Sequence, residues 1–140
     1  MSLNVTPHLN FRGDARAALT HYRDAFGGNL VVSTHGEAGP VEDPADADLV
    51  IWGQVTAPNG FRIMAFDVPA SRPFSRGEQS FFVSVRADGG DELTAAWPTL
   101  IEGGTVLVDL GPSAWSPLYG MAVDRFGVTW VLDVAVAWEG

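Results

Sequence analysis

Read from end to end, the chain spells one pattern twice. Ala15, Ala18, Leu19, Tyr22 and Phe26 fall at the i, i+3, i+4, i+7, i+11 spacing of one helical face, and Gly27-Gly28 then stops the helix. Leu93, Ala96, Trp97, Leu100 and Ile101 form a second such stripe, stopped by Gly103-Gly104. A constant shift of 75 positions carries Tyr22, Phe26 and Gly28 onto Trp97, Ile101 and Gly103. Each helix is preceded by one extended stretch and followed by three. Both halves therefore read strand, helix, strand, strand, strand, and duplication is the economical explanation.

The individual elements follow from local chemistry. Asn4 to Phe11 reads as a first strand, with Asp14 as the N-cap of the first helix, its carboxylate accepting from first-turn amides. Leu30 to Thr34 is a second strand, and the acidic stretch 36–48 is a surface loop. Leu49 to Ala57 and Phe61 to Asp67 pair around Pro58-Asn59-Gly60, whose Asn-Gly favours a tight turn. In the second half, Gln79 to Arg86 is a strand, Asp91 an N-cap and Val106 to Leu110 a strand. Pro98 inside the second helix lacks an N–H donor and predicts a kink or a short first segment. The last hairpin, Leu118 to Val134, turns at Asp124-Arg125-Phe126-Gly127. Val128, Trp130, Leu132 and Val134 alternate with Thr129, Val131 and Asp133, the period of a half-buried strand. The expected organisation is one domain: a module over about residues 3–68, a linker over 69–78 and a second module over about 79–137.

Composition narrows the functional classes. With 140 residues, 46% hydrophobic and 18% charged, the chain suffices for one folded domain. No apolar run approaches the roughly 20 residues of a membrane span, so no membrane partner is expected. Met1-Ser2-Leu3-Asn4 shows no secretory signal and there is no cysteine, which together fit a cytoplasmic protein. A net charge of −9 repels phosphate backbones, so nucleic acid is not an expected partner. All eight basic residues are arginine, which removes lysine Schiff-base chemistry. Neither a GxSxG elbow nor a GxGxxG or GxxxxGK[ST] phosphate cradle occurs. Three histidines exist: His8 on the first strand, His21 beside Tyr22 and expected to be exposed, and His35 at the start of the acidic loop.

Pro7-His8-Leu9-Asn10-Phe11, Tyr22 to Gly28, Ile63-Met64-Ala65-Phe66-Asp67, Tyr119-Gly120-Met121 and Asp124 to Trp130 occur in an order that resembles the vicinal-oxygen-chelate superfamily. That superfamily comprises glyoxalase, bleomycin-resistance and dioxygenase proteins, and the nearest branch looks like the PhnB-like proteins. The resemblance implies an α+β fold in which two βαβββ modules form a curled mixed sheet of eight strands around an open cleft. It also implies a homodimer.

Metal-using members place His, Glu or Gln ligands on the first and last strands of each module. Carried over, those places hold His8, Met64, Ser80 or Phe81, and Val131, and the third-strand histidine of PhnB-like relatives becomes Trp52. Zinc, iron or manganese needs about three protein donors, so no cofactor is expected. A site of His8 with Glu37, Glu42 or Asp67 is the remaining metal possibility. Some PhnB-like proteins carry a ubiquinone-methyltransferase label, which the missing glycine-rich loop does not support.

The leading expectation is a metal-free cleft that binds a small, largely apolar or aromatic molecule through His8, Trp52, Gln54, Phe66, Trp115, Tyr119 and Trp130, with Phe82 as a further aromatic candidate and Asp67 as a further polar contact. Strand tryptophans Trp52 and Trp130 also suit core packing, and Trp115 in GPSAWSPLYG also suits plugging a surface. No catalytic residue is assigned. Two alternatives stay open: a divalent-metal lyase, isomerase or dioxygenase built on His8, and a dimerising structural module without ligand.

Overall fold

The structure, a computed structural model, describes residues 3–136. The predicted end of the second module, at residue 137, lies outside them, as do Met1 and Ser2. The chain divides into two compact units, with the boundary between Gly77 and Glu78.

The first unit contains β1 (His8–Phe11), α1 (Ala15–Phe26), β2 (Asn29–Thr34), the one-turn helix α2 (His35–Ala38), β3 (Val50–Thr56) and β4 (Arg62–Asp67). Its sheet runs β1-β4-β3-β2. β1 lies parallel to β4, and the other two pairings are antiparallel. α1 buries the predicted Ala15, Ala18, Leu19 and Tyr22 against the sheet face made by Leu9, Phe11, Gly53, Val55, Ile63 and Ala65. Gly53 makes room for α1: a Cβ there would stand 2.5 Å from Leu19 Cδ1, which would have to shift. Phe26, at the end of the stripe, stacks on Phe61 with ring centroids 4.3 Å apart.

The second unit contains β5 (Val83–Ala87), α3 (Asp91–Ile101), β6 (Thr105–Gly111), β7 (Tyr119–Val123) and β8 (Thr129–Val134). Its sheet runs β5-β8-β7-β6, the same order as in the first unit, with the first strand again parallel to the last. Leu93, Ala96 and Leu100 of α3 are buried, as are Ala122, Trp130, Leu132 and Val134 of the sheet. Gly120 lets Trp97 approach, its missing Cβ lying 3.0 Å from Trp97 Cη2.

The expected curled sheet is corrected. The strands form two separate four-stranded sheets, and no strand of one unit pairs with the other among the described residues. The reason lies in the connectivity. Each unit closes its first strand onto its own last strand, so all its ladders are internal and both outer strands end as edges.

Several local expectations also change. Asp14 occupies the N-cap position of α1 but makes no capping hydrogen bond through its side chain. Asp67 supplies the cap instead: its Oδ1 accepts from Gly13 N at 2.7 Å and Ala15 N at 3.1 Å, and its Oδ2 from Val50 N at 3.0 Å. Gly90, not Asp91, is the N-cap of α3, and α3 runs through Pro98 without interruption. Pro98 is exposed, so the carbonyl it cannot serve can turn to water. His21 is buried, at 3% exposure, with its ring 6.0 Å from that of Tyr22. β5 begins at Val83, four residues later than expected.

The acidic loop is largely tied down. Thr34 and Glu37 form a capping box for α2, and His35 Nε2 sits 3.3 Å from the Asp67 carbonyl. Asp46 is buried and accepts from Ala70 N at 3.4 Å. Arg12 fixes the segment after β4 by donating to the carbonyls of Val68, Pro69 and Arg72, with its guanidinium 5.5 Å from the Phe74 ring centroid.

Candidate functional site

A β-strand sends alternate side chains to opposite faces, and in the first unit one face is taken by α1. The other carries four of the seven residues expected to bind a ligand. His8 on β1 stands beside Met64 on β4, Met64 beside Gln54 on β3, and Gln54 beside Val31 on β2. One row of side chains thus crosses the whole sheet. Phe66, two residues beyond Met64, shares this face, and its ring meets that of His8 edge-on at 5.1 Å. Trp52, two residues before Gln54, is exposed. The result is a surface of ring, thioether and aliphatic groups with an imidazole on one side of Met64 and a carboxamide on the other.

The remaining three expected residues belong to the second unit. Tyr119 lies on the sheet face away from α3, and Trp115 packs edge-on against it at 5.0 Å. Trp115 is 62% exposed. Its loop is held from inside: the Ser113 hydroxyl accepts from Ser116 N at 3.0 Å, and the buried Ser116 hydroxyl sits 2.8 Å from the Leu118 carbonyl and 2.9 Å from that of Val134. Trp130 faces the other way. It is completely buried on the α3 side, and its indole N–H donates to Asp124 Oδ2 at 2.9 Å. Asp124 Oδ1 also accepts from Phe126 N and Val128 N, closing the turn whose Gly127 has φ 89°.

Comparison of the two sheets revises one inherited position. His8 opposes Met64 in the first unit, and the residue opposing Val131 in the second is Ser84, not Ser80 or Phe81. The four places that the resemblance maps onto the ligands of metal-using members are therefore His8, Met64, Ser84 and Val131. Among the described residues, no three His, Cys, Asp or Glu side chains are grouped to hold an ion. Asp67 points into the opposite face, and its two oxygens serve three backbone amides. Glu37 is held at Thr34. These side chains do not fit the donor set of a divalent ion.

One feature escaped the sequence reading. Arg86 Nε donates to Asp133 Oδ1 at 3.2 Å and Arg86 Nη2 to Asp133 Oδ2 at 3.2 Å, joining the first and last strands of the second unit. The signal available was one charge of each sign in two strands that carry no other charge.

The comparisons with known proteins agree with this architecture. The family model described as the Glyoxalase/Bleomycin resistance protein/Dioxygenase superfamily matches residues 7–132. The chain is similar to the crystal structure of protein PA1353 from Pseudomonas aeruginosa, at 32% identity and a TM-score of 0.80 over 95% of this chain and 98% of that one. It is also similar to a PhnB protein from Bacillus cereus, at 27% identity and a TM-score of 0.72 over 95% of this chain and 100% of that one. TioX from Micromonospora sp. ML1, at 14% identity and a TM-score of 0.58 over 95% of this chain and 100% of that one, shares the fold. No curated protein matches the chain. No helix among the described residues is long and apolar enough to cross a membrane. A family match over residues 7–132, with a 32% identical structure superposing over 95% of the chain, shows that the chain belongs to the glyoxalase/bleomycin resistance protein/dioxygenase superfamily.

Proposed function

We propose that the chain binds a small, largely apolar or aromatic molecule without a metal ion, and that His8, Trp52, Gln54 and Phe66 of the first unit make the contacts. The observation that carries this reading is the gathering of those four side chains on the sheet face opposite α1. Ligand sites are mostly apolar surfaces with a few placed polar groups, and His8 and Gln54 supply those groups here. Sequestration of a molecule needs shape and stacking, and no catalytic group. Trp115 and Tyr119 are proposed as the aromatic contacts of the second unit. Trp130 supports them by holding β8 in place. The single-domain organisation, the cytoplasmic setting and the pairing of two copies expected from the PhnB-like resemblance belong to the same proposal. Light scattering checks the pairing, and a monomer at micromolar concentration counts against it.

Tryptophan-fluorescence titration against a library of small aromatic compounds tests the binding. Saturable quenching that is lost in Trp52→Phe and weakened in His8→Ala supports the reading. No saturable quenching by any compound would leave a structural module. Stoichiometric iron, manganese, zinc or nickel in protein purified without chelator, released by His8→Ala, would favour the enzyme alternative.

A further inference from the structure

The Arg86–Asp133 pair has a geometry that a simple strut between strands does not require. A guanidinium offers two bidentate edges, one made by Nε and Nη2 and one by Nη1 and Nη2. Asp133 takes the first edge. No hydrogen bond among the described residues takes the second. The Arg86 side chain is 67% exposed, whereas that of Asp133 is 7% exposed, so the carboxylate is sunk in the sheet and the open edge faces solvent. Asp133 also stands opposite Tyr119 in the β7–β8 ladder. Arg86, Asp133 and Tyr119 therefore form one row on the face away from α3, and Trp115 packs on Tyr119 at its end. An oriented cation and an exposed indole held by a fixed loop share one surface, in a chain whose net charge of −9 otherwise repels anions.

We propose that this row recognises an aromatic carboxylate: the free edge of Arg86 receives the carboxylate in a bidentate contact, and Trp115 with Tyr119 receives the ring. The inference rests on the reading that the chain binds aromatic small molecules, and it names the polar group such a ligand carries. Asp133 is a positioning residue that fixes the guanidinium without touching the ligand.

Isothermal titration of the full chain with 2-naphthoate and with uncharged 2-naphthamide tests this. The expected result is about tenfold tighter binding of the carboxylate, the scale of one charge-assisted bidentate contact at a partly exposed site. Arg86→Gln should abolish that preference by bringing the naphthoate affinity down to that of naphthamide, and Arg86→Lys, which keeps charge but loses the fork, should restore only part of it. Asp133→Asn should lower the preference with the fold intact by circular dichroism. Trp115→Ala should weaken both probes, and Trp115→Phe should recover most of the loss. Equal affinity for the two probes, or a preference untouched by Arg86→Gln, would overturn the carboxylate assignment while leaving aromatic binding standing. Binding of neither probe would sink both.

Discussion

Asp67 at the end of β4 caps α1 from 52 residues away: its Oδ1 accepts the backbone N–H of Ala15 at 3.1 Å. The same carboxylate serves Gly13 and Val50, so one side chain ties helix, loop and two strands together. Removing a buried acceptor leaves its donors unsatisfied, which costs more than the hydrogen bonds themselves contribute. Asp67→Ala is expected to destabilise the protein by about 3 kcal/mol and Asp67→Asn by less, because one oxygen remains. Asp14→Ala, which removes no side-chain cap, should cost little. Urea denaturation followed by circular dichroism checks all three.

Trp130 and Asp124 lock the last hairpin. Trp130→Phe removes the indole donor and leaves space in a filled core, so a loss of about 2 kcal/mol is expected. Asp124→Ala strips the acceptor from two turn amides as well as from the indole, and should cost more. The two changes should be non-additive in a double-mutant cycle, since they share one bond.

Gly104 shows close approach where the sequence suggested only a helix stop. A Cβ there would run into the backbone carbonyl of Val123 and lie 3.0 Å from Asp124 Cα, and neither can rotate away. Gly104→Ala should therefore destabilise by about 3 kcal/mol. Gly89→Ala, with nothing within 4 Å, should change stability by less than about 0.5 kcal/mol. Thermal melts of the two variants give the contrast.

His8 is exposed, and its ring meets that of Phe66 in a T-shaped contact. His8→Ala is thus expected to shift stability by less than about 0.5 kcal/mol while weakening aromatic ligands, separating a binding role from a structural one. The same site predicts indifference to metal. Adding zinc, nickel or manganese should move the melting temperature by less than about 1 °C, since only an ion that binds the native state raises it. A saturable rise with one ion, removed by His8→Ala, would restore the metal reading.

Local periodicity made much of each unit legible. The stripe Ala15, Ala18, Leu19, Tyr22 announced the buried face of α1, and the alternation through Val128 to Val134 announced β8, because burial imposes periods of 3.6 and 2 on any chain. The N-cap was misread because a capping carboxylate can come from a distant strand, and sequence proximity favoured Asp14 over Asp67. The single curled sheet was misread because resemblance carries element order more readily than strand pairing. Of the residues expected to bind a ligand, His8, Trp52, Gln54 and Phe66 lie on one sheet face, as strand alternation in the sequence allowed. The pairings of Ser84 with Val131 and of Arg86 with Asp133 were missed, since placing them needed the true start of β5, which the two phenylalanines at 81 and 82 disguised.

The pairing of first strand with last has a consequence for synthesis on the ribosome. β1 emerges early and has no ladder partner until β4 follows it, and α1 likewise waits for the carboxylate of Asp67. Once residue 77 has cleared the exit tunnel, the first unit possesses every strand it hydrogen-bonds to. The second repeats the wait, with β5 exposed until β8 arrives. Vectorial translation thus meets two successive intervals in which a lone edge is vulnerable to wrong partners, and a pause in either one lengthens that exposure.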